Sequence, residues 1–400
     1  MAKPKLALIP AAQGTKLFSV LPSDGVGDFT FARGSVATRI NAQGLIENVA
    51  SGQSRLDYPL IDGVQKGCPH HILEPQRGNV CGYSDNLTQW SLTNGTLSSN
   101  SVISPDGTLN ADKVVFNNVA LDLKRTVTVV AGTTYTFSFY IKLESGTGLQ
   151  GRFYDNSNGA NIEYYDYSNQ VLGTDWTRVT RQVTTPSGCT QMQVWLLASS
   201  SSLVTASFWG AQLEVGSYET SYIPTSTTAV VTRSAETASG AGNSTTFNDS
   251  EGVFMVECST IADSDVVNEV YCISINDGGA TGSGNRVELL WFSDGKFYTQ
   301  VGNSGQEFIS SDTFNNKILI KYGSGSYDLY VNGFRRITDT FTSMSGLVSL
   351  DFKRQGSYTF KGKTKQIQYF DSILADTQLE QLTSWQSFTD MAEGQLYTIE

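Results

Sequence analysis

A chain of 400 residues is long for one core and suggests two or three domains. Charged residues make up 16% of it, serine and threonine together number 86, glycine adds 38 and aromatics reach 11%. That is the make-up of half-buried strands joined by glycine turns, and it excludes a coiled-coil rod, a helical bundle and a disordered chain, while a net charge of −11 argues against nucleic-acid and anionic-membrane partners.

Near the amino terminus the apolar stretch Leu6-Ala-Leu-Ile9 is four residues long, short of the ~7–15 of a signal-peptide core, and no run approaches the ~20 of a membrane span. Five scattered cysteines form no disulfide framework, which places synthesis in a reducing cytoplasm. Residues 1–85 hold both histidines and six of the nine prolines, and read as an extended, irregular segment. Their charge is near balance, with eight Lys and Arg against seven Asp and Glu, so the remaining 315 residues carry −12. Leu6, Leu8, Ile9, Leu17, Phe18, Phe29 and Phe31 show no sustained periodicity. Such a segment is expected to order only by laying these residues on the first sandwich or on a partner protein.

From 86 to 222 short strands recur with period-two patterning, over 114–116, 135–141, 176–183, 192–197 and 207–215, separated by turns such as Ser104-Pro-Asp-Gly107 and Thr185-Pro-Ser-Gly188. Many short strands between evenly spaced turns predict an antiparallel sandwich. Residues 223–250 are small and polar and read as a linker, so the flanking sandwiches are expected to fold independently. A second strand series fills 251–400. Its clearest signal is Tyr327-Asp-Leu-Tyr-Val-Asn-Gly333, because Asn-Gly after an alternating run marks a hairpin. Near the end, Thr377-Gln-Leu-Glu380 has the form of a capping box, and predicts a short helix burying Leu379 and Leu382. The fold class is therefore all-β: two antiparallel sandwiches after an irregular amino-terminal segment.

Few residues point to chemistry. There is no Gly-x-Ser-x-Gly elbow. Cys68, His70, His71 and Cys81 lack zinc spacing, and the plainer reading has buried cysteines and histidines exposed at a turn after Pro69. Gly362-Lys-Thr364 ends like a phosphate loop but lacks its first glycine, and reads as a hairpin turn. Glycoside hydrolysis needs two carboxylates facing one cleft; Glu163 and Asp166 are the nearest pair in an aromatic setting. Glycan binding asks for less, an aromatic platform with amides or carboxylates. The stretch 152–167 supplies these densely, which makes Tyr154, Asp155, Asn156, Tyr164, Tyr165 and Asp166 the candidate sugar-binding residues. Its Asn and Asp residues could also hold calcium; no other cofactor and no catalytic residue is indicated. In 207–215, alternation puts Trp209, Ala211, Leu213 and Val215 on one face, and Phe208, Gly210, Gln212 and Glu214 on another that could border a ligand groove.

Three stretches carry a resemblance. Arg33-Gly-Ser-Val-Ala-Thr-Arg-Ile-Asn-Ala-Gln-Gly-Leu-Ile-Glu47, then Arg55-Leu-Asp-Tyr58, Gly67-Cys-Pro69 and Leu73-Glu-Pro-Gln-Arg-Gly-Asn79, followed by Tyr83-Ser and Trp90, resemble an ordered segment near the start of tailed-bacteriophage virion proteins, which usually have threonine where Gly78 stands. Trp209-Gly-Ala-Gln-Leu-Glu-Val-Gly-Ser-Tyr-Glu-Thr-Ser-Tyr-Ile-Pro-Thr225 resembles the closing strand of their carbohydrate-binding-module-like jelly roll. Residues 251–400, with Tyr330-Val-Asn-Gly333 and Tyr369-Phe-Asp-Ser-Ile-Leu-Ala-Asp-Thr-Gln-Leu-Glu380, resemble a laminin-G/concanavalin-like sandwich.

The resemblance implies a non-enzymatic structural protein of the virion surface, a fibre, spike or other appendage of head or tail that adheres to host-surface glycans. Residues 1–85 would attach it to other capsid or tail proteins, and a homo-oligomer, a trimer by inheritance from the family, is expected. The alternatives are a depolymerase that cuts glycan and a decoration protein that binds no sugar.

Overall fold

A computed structural model describes residues 3–13, 16–61, 63–116, 122–146, 149–167, 174–198, 204–260, 270–279, 284–292, 296–309, 315–354 and 358–395. It is nearly all antiparallel strand, with two short helices near the carboxyl terminus.

The first sandwich is two five-stranded sheets. One runs Ser91–Thr93, Asp122–Thr128, Gln191–Ala198, Leu149–Asp155, Ala160–Asp166 in spatial order; the other runs Gly95–Ile103, Leu109–Phe116, Val204–Val215, Thr134–Ser145, Thr177–Thr184. Alternation drives the packing. In Leu149–Asp155 every second side chain is buried, and Phe153 meets Phe137 edge-on at 6.2 Å across the sandwich. Phe139, Tyr167, Val194, Leu196, Phe208 and Leu213 complete the core.

The strand Val204–Val215 does not keep the simple alternation of its sequence. Its register against Thr134–Ser145 slips between Ser138 and Tyr140, and Gly210 there takes φ +68°, where a side chain is disfavoured. Phe208, Ala211 and Leu213 thus all join the core, while Trp209 turns outward to pack on Tyr140 and Tyr222. The expected groove face is closed: Gln212 and Glu214 are fully buried, with Glu214 accepting from the Thr220 amide at 2.7 Å and Gln212 from the Ile223 amide at 2.6 Å.

In the second sandwich one sheet runs Ser304–Ile309, Lys296–Val301, Arg286–Phe292, Val270–Asn276, Ser349–Asp351. The facing sheet is built from both ends of the chain. Its order is Thr237–Ser239, Phe29–Ala32, Lys16–Leu21, Leu6–Gln13, Gly362–Phe370, Glu251–Thr260, Asn316–Gly323, Ser326–Val331, Phe334–Thr340, and His70–Leu73 also pairs with the central strand Gly362–Phe370. Leu6, Leu8, Phe29, Phe31 and Leu73 are buried in the same core as Phe254, Ile273, Leu289 and Ile367. The described apolar residues of 1–85 therefore find their cover chiefly on the second sandwich, where the sequence pointed to the first sandwich or a partner. The side chains of Ile9, Leu17 and Phe18 lie outside the described residues. Short strands with Gly and Pro between them carry no periodicity of their own, but an unpaired edge of a large sheet orders them.

Other local expectations shift for the same reason. Residues 223–250 contain two strands, Val231–Arg233 on Arg77–Asn79 and Thr237–Ser239 on Phe29–Ala32. Gly362-Lys-Thr364 begins a central strand, and is not a turn. His70 and His71 are buried in that sheet rather than exposed; Cys68 is exposed and Cys81 buried. The hairpin at Asn332-Gly333 forms as expected, both residues at positive φ. The helix Asp376–Thr383 starts just ahead of the expected box, with the Ala375 amide donating to Gln378 Oε1 at 3.2 Å, and buries Leu379 with Leu382 half-buried beside it. A second helix, Phe388–Gly394, has no counterpart in the sequence reading.

Between the sandwiches three cations and two carboxylates are buried together. Arg55 is fully buried and bonds Glu74 Oε2 at 2.8 Å and Glu236 Oε1 at 2.8 Å; Arg33 reaches Glu236 at 2.7 Å, and Arg233 reaches Glu74 at 2.9 Å. Burial pushes both carboxyls up, but the guanidinium charges outweigh it and hold Glu74 and Glu236 below the usual carboxylate range. Remaining valences go to backbone: Arg55 to the Thr38 carbonyl at 2.7 Å, and the Ser221 and Glu74 amides to the two carboxylates. The cluster ties residues 33–74 to 221–236 and so fixes the entry and exit of the first sandwich.

Candidate functional site

The solvent face of the first sandwich's Leu149–Asp155 sheet carries the aromatic cluster. Register aligns Lys124, Trp195, Arg152 and Tyr164 in one row across four strands, and Thr126, Gln193, Tyr154 and Asn161 in the next. Met192, Val194 and Leu196 point into the core, so Gln193 and Trp195 must point out. The Arg152 guanidinium lies 4.4 Å from the Tyr154 ring, 4.5 Å from Trp195 and 5.1 Å from Tyr164, while the Lys124 ammonium sits 4.3 Å from Trp195. Cation–π contacts of this kind hold flat groups upright on a sheet surface. Around them are hydrogen-bonding groups: Trp195 donates to Gln193 Oε1 at 2.9 Å, and Gln193 donates to Asn156 Oδ1 at 3.0 Å.

Of the six residues singled out from sequence, the structure brings three into this row pair or its rim. Tyr154 is half-buried, Tyr164 is 58% exposed and Asn156 is exposed. Asp166 is exposed one row further along, opposite Gln150. The other two are turned away. Asp155 is buried and accepts from the Ser157 and Asn158 amides, both at 3.0 Å, which builds the turn into the next strand. Tyr165 is in the core, tilted against Phe153 at 4.9 Å and edge-on to Tyr167 at 4.8 Å, because it lies opposite the inward-facing Gly151. The same alternation splits Glu163 from Asp166. Glu163 reaches the opposite sheet to pair with Arg181, so the two carboxylates do not share a face. Sequence reasoning missed Trp195, Arg152, Gln193 and Lys124; the alternation in Gln191–Ala198 already marked the first of them.

Among the described residues no group of three His, Cys, Asp or Glu side chains is placed to hold a metal ion. Cys68 and Cys81 do not join the histidines in such a group. His71 is packed edge-on against Phe31 and Phe352, and burial pushes its pKa down to about 3.

Comparison with known proteins agrees with this region in class. Residues 81–201 match the family CBM_4_9, described as a carbohydrate binding domain. That span covers most of the first sandwich, including every residue of the aromatic rows. No curated protein matches the chain. Among solved structures, the CBM40 of a Ruminococcus gnavus IT-sialidase bound to α2,3-sialyllactose is 18% identical over 34% of this chain and 84% of its own, with a TM-score of 0.29. A leech intramolecular trans-sialidase is 17% identical over 35% of this chain and 24% of its own (TM-score 0.29). A CBM4 structure is 16% identical over 30% and 86% (TM-score 0.24). At such scores likeness decides nothing about function.

Proposed function

We propose that the protein is a non-enzymatic glycan-binding protein of a tailed-phage particle, with the Trp195–Arg152–Tyr154–Tyr164 face as the sugar platform. The observation that carries the glycan part is that face itself: three aromatic rings on solvent-facing positions of one sheet, held by Arg152 and Lys124 and rimmed by Gln193 and Asn156. Sugar rings stack their C–H faces on such rings while amides take the hydroxyls. The match of residues 81–201 to a carbohydrate binding domain supports the same reading. The virion role is supported by the resemblance of 33–79 and 209–225 to phage surface proteins. Attachment through residues 1–85 would have to use their exposed side chains, such as Val36 and Val64, since Leu6, Leu8, Phe29 and Phe31 are spent on the second sandwich.

A glycan array probed with labelled protein, repeated with Trp195→Ala and Tyr164→Ala, tests this. Stacking losses of about 1–1.5 kcal/mol per ring predict roughly tenfold weaker binding for each variant with circular dichroism unchanged. Unaltered binding in both would move the site elsewhere. Release of reducing ends from a bound glycan would replace the binding reading by the depolymerase one.

A further inference from the structure

Between the two sandwiches lies a cavity of about 420 Å³, within the ~300–1,000 Å³ of small-molecule sites. Four parts of the chain wall it, one of them the amino-terminal segment with Arg39, Asp57 and Glu74. Tyr140 and Arg178 come from the outer face of the first sandwich, Thr260 and Lys363 from strands of the second, and Tyr218 and Glu219 from the segment that leaves the first sandwich. It is on the opposite sheet from the Trp195 face, so the two sites share no residue.

The charges along the wall balance, with Arg39, Arg178 and Lys363 against Asp57, Glu74 and Glu219. Most are already matched: Lys363 bonds Asp57 at 2.9 Å, Arg39 pairs with Glu47 at 2.6 Å, and Glu74 belongs to the buried arginine cluster. Arg178 is different. One terminal nitrogen donates to Ser138 Oγ at 2.9 Å and the guanidinium lies 5.5 Å from the Tyr140 ring, but its Nε is buried with no acceptor among the described residues. Glu219, exposed beside it, is an acceptor-only group.

Arg178 and Glu219 put a donor and an acceptor side by side on a wall that also carries Tyr140 and Tyr218 and has no net charge, which favours neither an anion nor a cation. Such a wall suits a compact molecule whose neighbouring hydroxyls each give and take a hydrogen bond. We infer that this cleft is a second saccharide site, for one or two neutral pyranose rings, in which Arg178 and Glu219 hold adjacent hydroxyls against Tyr140 and Tyr218. The inference does not depend on the sheet-face platform.

The test is saturation-transfer NMR on the full chain carrying Trp195→Ala and Tyr164→Ala, so that platform binding is already removed. The probes are methyl glycosides of glucose, galactose, mannose and N-acetylglucosamine, with glucuronic acid as the charged comparison. At least one neutral glycoside is expected to show saturable transfer, weakened fivefold or more by Glu219→Ala and by Arg178→Met. Glu219 is exposed, so its variant tests the site without touching the core. No transfer from any neutral glycoside, transfer from glucuronic acid alone, or transfer indifferent to either substitution would overturn the inference.

Discussion

His71 offers a direct reading of how the amino-terminal strands are held. Its ring is fully buried between Phe31 and Phe352, at 6.2 and 5.5 Å, and neither ring nitrogen has a hydrogen-bond partner among the described residues. Burial lowers its pKa from 6.5 to about 3. A base whose native pKa is depressed takes up its proton more readily when unfolded, so stability is complete above pH 6.5 and falls as the pH drops toward 3. With those two values the loss works out at about 1.4 kcal/mol by pH 5.5 and about 2.7 kcal/mol by pH 4.5. His71→Leu removes the titration and also the two unsatisfied nitrogens. At pH 7.5 the variant is expected to match the wild type or exceed it by about 1–3 kcal/mol. The gap should then widen by the amounts above, measured by urea unfolding of the second sandwich at pH 7.5, 5.5 and 4.5. Taking the difference between the two proteins cancels other titrating groups, including His70, whose pKa is down to about 4 chiefly by burial and then by Lys363 and Lys365. Parallel pH profiles for the two proteins would refute the argument, since His71 would then be solvated or paired in the folded state.

Arg55→Met should cost about 3–5 kcal/mol, because it leaves Glu74 and Glu236 buried with their central cation gone; a calorimetric melting scan checks it, and a loss below 1 kcal/mol would mean that water reaches the cluster. A fragment of residues 81–226 is expected to unfold cooperatively with strand-type circular dichroism, whereas 251–400 alone should aggregate. It lacks the strand Leu6–Gln13 that covers one side of Gly362–Phe370, and the core residues Phe29, Phe31 and Leu73. Fusing residues 1–80 to it should restore a monodisperse species, and a soluble, cooperative 251–400 would count against this account.

The parts legible in the sequence are those that alternate. Strands such as Thr177–Thr184 and Gln191–Ala198, and the Asn332-Gly333 turn, announce themselves because each strand's own side chains report which face is buried. Tyr154, Asn156, Tyr164 and Asp166 are legible as a dense patch, but the same density includes Asp155 and Tyr165, because it ignores which way a side chain points. Trp195 was lost because its strand is about 40 residues further along, and only pairing brings it beside Arg152. The segment 1–85 hid its strands for a different reason. Leu6–Gln13 and His70–Leu73 are ordered by an edge supplied near residue 365, so no local window contains the cause. The ordered strings 33–47, 55–58, 73–79 and 209–225 stood out on their own. Arg33, Arg55 and Glu74 in them belong to the buried ionic cluster, while Asn79, Gln212 and Glu214 hold the entry and exit segments on the first sandwich.

The path of the chain has a consequence for how such a molecule can change. The chain begins in the second sandwich, leaves it to build the whole of the first, and comes back to finish where it started. The outgoing and returning segments bond to each other at one neck, the Ser84 amide to the Thr225 carbonyl at 3.0 Å and the Ser84 hydroxyl to Tyr222 at 2.5 Å. The first sandwich is thus a guest on a host whose own sheet closes without it. Closing so long a loop is cheap at equilibrium, since each doubling of length adds only ~0.6 kcal/mol, but the pairing of Leu6 with Tyr369 must wait for nearly all of the chain. The guest can fold first and be exchanged for another sandwich cut at the same neck, leaving the host's sheet as it is, provided that the newcomer keeps a serine where Ser221 caps Glu74 in the salt-bridged collar.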